Sequence, residues 1–245
     1  APGINHRSPI EMSYQAPFVD AARSVDPVNR ENTFVSYYTY GSVLGLALDL
    51  ALRNMDNDLT LDGYMQLIWQ KYGNPTQAYE LSDLRTTLAQ YAGAFFADFF
   101  FESFIYNAQQ PNYQKGFENV GISYEIQNST TPFFGAMVSN IGGTFTLVSN
   151  PLEGTSSYQA GLSYGDVILE IGGKKMGSET SFNAFIRSHY LPGQVTNLII
   201  ERHGKTKSVP LEFKPYPQII LKLLSHAPAE SQVLRRKWLD SKTSK

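Results

Sequence analysis

The chain has 245 residues, 42% of them hydrophobic and 17% charged, with a formal net charge of −2. That length can support one large or two ordinary cores, and the near-neutral charge supplies no field favouring nucleic acid or an acidic membrane surface. Cysteine is absent, which excludes disulfides, thiol nucleophiles and cysteine-held zinc or iron–sulfur centres.

The start, Ala1-Pro2-Gly3, has neither the charged nor the apolar region of a signal peptide; because it does not begin with Met, the chain reads as processed or as a piece of something longer. No apolar run approaches the ~20 residues of a membrane span. The run around Leu44–Leu52 is broken by Asp49, and Phe95–Ile105 by Asp98 and Glu102.

From Phe34 to Val120 apolar residues recur at helical spacing. The helix after Ser36 opens on Tyr37, Tyr38 and Tyr40 and is then apolar almost all round, as a buried helix should be. Within it Gly41 and Gly45 share a face, and Asp49 and Arg53 form an i,i+4 ion pair. Thr60 caps a second helix whose inward stripe is Leu61, Tyr64, Met65, Ile68, Trp69 and Tyr72, with Gly73 as its stop. Ser82 caps a third, a fourth covers Phe95–Ile105, and Pro111 opens a short fifth with Tyr113 and Phe117 inward. Asp98 and Glu102 are expected on a solvated face rather than as an acid–base pair.

After Gly121 the period becomes two. Ile122, Tyr124 and Ile126 alternate with polar residues, and strands are expected at Ala136–Val138, Thr144–Val148, Asp166–Ile171, Val195–Arg202 and Ser208–Phe213. Only Ser181–Ser188 and a piece near Tyr158–Leu162 read as helical there. The closing stretch from Pro215 carries six basic and two acidic residues, an excess of +4 (6 − 2). It reads as a surface helix whose Leu234, Trp238 and Leu239 dock on the body while the charges face water. The expected architecture is α+β and multidomain: a helical bundle at 1–128, a β-rich domain at 129–214, and a C-terminal tail with a short helix at 215–245.

The stretch "YQAGLSYGDVILEIGGKKM", Tyr158–Met176, resembles the core signature of a bacterial-type PDZ domain. "FNAFIRSHYLPGQVTNLIIERHG" then supplies the groove helix and the next strands. The resemblance implies that a peptide C-terminus adds as a strand at one sheet edge. Its carboxylate would lie on the backbone N–H groups of Phe133-Phe134-Gly135-Ala136, and Phe182 and Phe185 would form the groove wall. The groove is either open or filled by the chain's own tail.

"SYYTYGSVLGLALDLALR", "LTLDGYMQLIWQKYG" and "FFADFFFESFI" together resemble the C-terminal side of the catalytic domain in the glycyl aminopeptidase family. These are thermolysin-like zinc metallopeptidases that carry a PDZ domain after the catalytic domain, and the resemblance runs nearly the whole chain. It implies removal of N-terminal Gly or Ala from peptides by a zinc-activated water. A Tyr-x-x-Gly element in that family places its tyrosine on the substrate carbonyl, and Tyr38-Thr39-Tyr40-Gly41 has that spacing. Tyr38 thereby inherits the role of oxyanion donor, a role a phenol suits because it can donate one hydrogen bond. Tyr37 and Tyr40 are read as packing residues; where many of the family have Lys, this chain has Tyr40.

The family's His-Glu-x-x-His zinc motif does not occur here, and His6, His189, His203 and His226 are scattered. A catalytic zinc requires about three converging protein ligands. In the family these lie upstream of the point matching Ala1. Zinc is therefore expected in the full-length enzyme and not on this chain alone, which should be inactive. Implied partners are peptide substrate, protein C-termini at the groove and the upstream catalytic segment, with no nucleic acid and no membrane. The compartment stays open between bacterial cytoplasm and periplasm. The alternative is a non-enzymatic PDZ module that recognises protein C-termini.

Overall fold

A computed structural model describes residues 2–21, 26–55, 58–177 and 181–240. Helices come first: α1 (Pro9–Ser13), α2 (Ala16–Ala21), α3 (Arg30–Thr33), α4 (Tyr37–Arg53), α5 (Leu61–Tyr72), α6 (Leu81–Ala92), α7 (Ala94–Phe100) and α8 (Tyr113–Asn119). A π-helical turn, Phe101–Ile105, extends α7. There follow β1 (Ile122–Phe133), β2 (Val138–Ile141), β3 (Thr144–Leu147), α9 (Ser156–Gln159), β4 (Val167–Ile171) and β5 (Lys174–Lys175). The order ends with α10 (Phe182–His189), β6 (Val195–Arg202), β7 (Lys205–Glu212), β8 (Lys214–Leu223) and α11 (Ala229–Asp240).

The mixed helical and β-rich architecture, closed by a C-terminal helix, is as expected. The chain divides into two compact units, and neither is continuous in sequence. One comprises Ala1–Gly3, Pro17–Phe34 and Ile126–Gln218; the other comprises Ile4–Ala16, Val35–Glu125 and Ile219–Lys245. The division thus departs from boundaries at 128 and 214, because an early segment packs with the β-rich unit and the tail packs with the helical one.

In the helical unit, Leu48 and Leu52 of α4 meet Tyr64, Leu88, Phe100 and Phe101 in one buried cluster. Asp49 and Arg53 form the expected pair, Nε to Oδ1 at 3.0 Å, and both are only 6% exposed. Buried charges are stabilised by further hydrogen bonds, which these two have in part, Arg53 Nη2 having no partner among the described residues. Asp49 Oδ1 also accepts from Leu61 N at 2.9 Å, and Arg53 Nη1 donates to the Lys237 carbonyl at 3.2 Å. Leu234 and Trp238 of α11 pack on a second cluster, Leu50, Phe117 and Val120, whereas Leu239 is exposed.

Three local expectations change. Thr60 does cap α5, accepting from Gly63 N at 2.9 Å, but Met65 and Trp69 are exposed and the inward face narrows to Leu61, Tyr64 and Ile68. Helix α6 starts one residue before Ser82, on a reciprocal cap between Glu80 and Asp83. Strand β8 crosses Pro215 and Pro217, which a two-stranded ribbon tolerates because it pairs only with β1. As expected, Asp98 and Glu102 are half exposed; both pair with Arg85, at 2.9 and 2.7 Å.

In the β-rich unit the sheet order is β2-β3-β4-β6-β7, with β5 hydrogen-bonded to β4. All pairings are antiparallel. Phe182, Phe185 and Ile186 of α10 lie in its core with Phe134, Phe145, Leu198 and Ile200. Asp166, 1% exposed, accepts from Arg202 at 2.6 Å on each oxygen and from Ser163 N at 2.8 Å, joining the turn before β4 to the end of β6.

Candidate functional site

The site in the β-rich unit grows from the loop after β1. Phe134 is buried with its ring 4.9 Å from Phe182, edge to face, and this plants the loop in the core. The Phe134 carbonyl accepts from Ser157 N at 3.0 Å and from Ser157 Oγ at 2.6 Å. The Gly135 carbonyl accepts from Leu152 N at 2.8 Å. With these carbonyls tied inward, the N–H groups of Phe134, Gly135 and Ala136 donate to no group among the described residues. Successive unpaired amides in a turn form a concavity suited to an anion such as a carboxylate.

Gly135 makes this possible. Its φ is +89°, and a Cβ there would lie 2.2 Å from Thr155 Cβ and Oγ1. Beyond the loop runs β2, an outer strand of the sheet that pairs only with β3 and leaves its other edge free for an added strand among the described residues. A cavity of about 410 Å³ opens over the loop, reaching Phe133 to Met137 on one side and Asn183, Ile186 and Arg187 of α10 on another.

The loop residues Phe133, Phe134, Gly135 and Ala136 therefore all line the cavity. Phe182 and Phe185 do not; both turn into the core, and helical spacing presents Asn183, Ile186 and Arg187 instead. No described residue of the 215–240 tail lines the cavity. Sequence reasoning missed the third wall, Pro27 to Asn32, which comes from far upstream.

In the helical unit, the three tyrosines at the start of α4 have different surroundings. Tyr38 is 74% exposed, and its ring lies 4.7 Å from that of Tyr37. Tyr40 is 0% exposed, and its hydroxyl accepts from Gln110 Nε2 at 3.1 Å. Burial holds the Tyr40 phenol above its ordinary pKa, and it pushes those of Tyr64 and Tyr113 up to about 12. Tyr40→Phe should thus cost about 1 kcal/mol of stability through the lost hydrogen bond. Urea unfolding monitored by circular dichroism checks this, and an unchanged midpoint would refute it.

No three His, Asp or Glu side chains converge among the described residues, so the donor set does not fit a catalytic zinc. His189, for one, ends α10 with Nδ1 2.9 Å from the Phe185 carbonyl. No helix among the described residues is long and apolar enough to cross a membrane.

Residues 121–213 match the PDZ domain family, so the chain contains a PDZ domain. No curated protein gives a significant match. Among solved structures, an aminopeptidase N family protein from Idiomarina loihiensis superposes on 98% of this chain with TM-score 0.75 and 24% identity. The chain spans 41% of that protein's length. An HtrA-type protease, AlgW S227A with a decapeptide, covers 40% of this chain and 32% of its own, with TM-score 0.33 and 16% identity. A serine endoprotease from Yersinia pestis covers 36% and 30%, with TM-score 0.31 and 17% identity. The first of these likenesses extends the shared fold over both units.

Proposed function

We propose that this chain is the peptide-handling portion of a zinc aminopeptidase, resembling the glycyl aminopeptidases and acting on peptides with N-terminal Gly or Ala. The observation that carries the reading is the superposition of 98% of the chain on one aminopeptidase N family protein, rather than of the PDZ domain alone. In this reading Tyr38, the exposed phenol of α4, donates a hydrogen bond to the carbonyl oxygen of the bond being cleaved. The PDZ groove receives a peptide C-terminus, with its carboxylate on the N–H groups of Phe134, Gly135 and Ala136. Among the described residues no zinc donor set converges, so in this reading the metal is held by residues outside them.

Intact mass and zinc analysis of the native protein test the enzymatic part. The expected result is a longer or two-piece protein with stoichiometric zinc and chelator-sensitive hydrolysis of a glycyl anilide. A native protein of these residues alone, without zinc or hydrolysis, would leave the second reading, a peptide-binding module without catalysis. The unpaired amides favour groove binding in either case. A peptide ending in a free apolar residue should bind, and the same peptide amidated at its C-terminus should not. Equal binding of the two removes the groove from both readings.

A further inference from the structure

The PDZ match begins at residue 121, yet one wall of its cavity is built by residues 27–32. This strap is fixed by side-chain and backbone hydrogen bonds of good geometry. Asn32 Nδ2 donates to the Pro151 carbonyl at 2.8 Å, and Asn32 Oδ1 accepts from Glu153 N at 2.9 Å. Asn150 N donates to the Val28 carbonyl at 2.8 Å. Between these contacts sits Leu152, whose N–H holds the Gly135 carbonyl. One loop, residues 150–153, therefore grips the strap and the carboxylate loop together.

The strap borders the cavity without filling it. About 410 Å³ remains, the three loop amides stay unpaired, and no strap residue pairs with the free edge of β2. Pro27 and Val28 extend the apolar lining made by Phe133, Leu152 and Ile186. Arg30 and Arg187 border it with Glu31, a net positive border by one charge (2 − 1), which suits an anionic chain end.

We infer that the peptide site is composite: residues 27–32 are its selectivity wall for the side chain of the ligand's last residue, and Asn32 is the residue that positions this wall. The inference rests on the groove reading above and extends it to the ligand's chemistry, a free C-terminus with a large apolar final side chain. The wall gives that side chain the apolar surface of Pro27 and Val28, which lie outside the matched residues 121–213. A ligand ending in Ala makes little use of it.

The test measures fluorescence anisotropy of labelled decapeptides ending in Phe or Ala, each as free acid and amide, with the full 245-residue chain. Wild type should bind the Phe acid, bind the Ala acid more weakly, and reject both amides. Asn32→Ala removes its two hydrogen bonds to the 150–153 loop and a third, to Asn29 Oδ1, within the strap, and should weaken the Phe acid about tenfold with little change for the Ala acid. Val28→Trp, which fills the cavity from the strap side, should reverse the Phe-over-Ala preference while acid still beats amide. Circular dichroism establishes that the variants are folded, and a misfolded one is replaced by Val28→Leu, with the same direction expected. If wild type separates acid from amide but the folded variants keep its Phe-to-Ala ratio, the strap is no selectivity wall and the inference falls alone. If wild type does not separate acid from amide, the groove reading falls and takes this inference with it.

Discussion

Under the aminopeptidase reading proposed above, Tyr38→Phe in the zinc-bearing native protein should lower kcat by roughly 10²–10³-fold with little change in KM, the loss typical of one oxyanion donor. The substitution removes one oxygen and leaves the ring that lies beside Tyr37 at 4.7 Å. Tyr38 is suited to such a test because it is exposed, so loss of its hydroxyl leaves the buried core of the helical unit untouched. Its neighbours serve as controls of different kinds. Tyr40 is buried and hydrogen-bonded to Gln110, so its hydroxyl bears on stability and not on turnover. Tyr37→Phe should be mild. Steady-state kinetics on a glycyl anilide decides the matter: equal losses at all three positions would make the cluster structural and end the assignment of Tyr38.

What the sequence made legible follows from how local each cause is. The Gly135 loop could be read because converging amides need a residue without a side chain, and that need is written at one position. The buried α4 could be read because its apolar residues surround the whole helix, and Asp49 with Arg53 because a pair four residues apart shares a face. Phe182 and Phe185 could be placed on α10, but not on its correct side. An amphipathic helix between a sheet and a groove has two candidate faces, and the larger aromatic residues went to the core. The strap was invisible for a different reason. Asn32 meets its partners across 119 and 121 residues of sequence, and a single amide clamp leaves no periodic trace. The same holds for the Asp166–Arg202 pair, 36 residues apart. Strand β8 was hidden by Pro215 and Pro217, residues that count against a central strand but not against a ribbon with one partner.

Gly135→Ala should abolish binding of free-carboxylate peptides and destabilise the β-rich unit by about 1–3 kcal/mol, the range for forcing a non-glycine residue into unfavourable backbone. Two effects combine at this position. The φ of +89° disfavours any L side chain, and the added Cβ would lie 2.2 Å from Thr155. Thr155 cannot easily yield, since its hydroxyl donates to the Leu152 carbonyl at 2.6 Å and Leu152 N in turn holds the Gly135 carbonyl. Relief therefore comes from the loop, whose shift turns the amides of Phe134, Gly135 and Ala136 away from a common centre. Gly143→Ala separates the two effects. Its φ is +88°, yet a Cβ there meets nothing within 4 Å, so it carries the backbone strain without the collision. It should cost about 1–2 kcal/mol in thermal unfolding and leave peptide affinity intact. Anisotropy titrations of both variants with a free-acid peptide read the difference directly. Should Gly135→Ala bind that peptide as well as Gly143→Ala does, the carboxylate is not held by this loop, and the amides after β1 have no part in recognition.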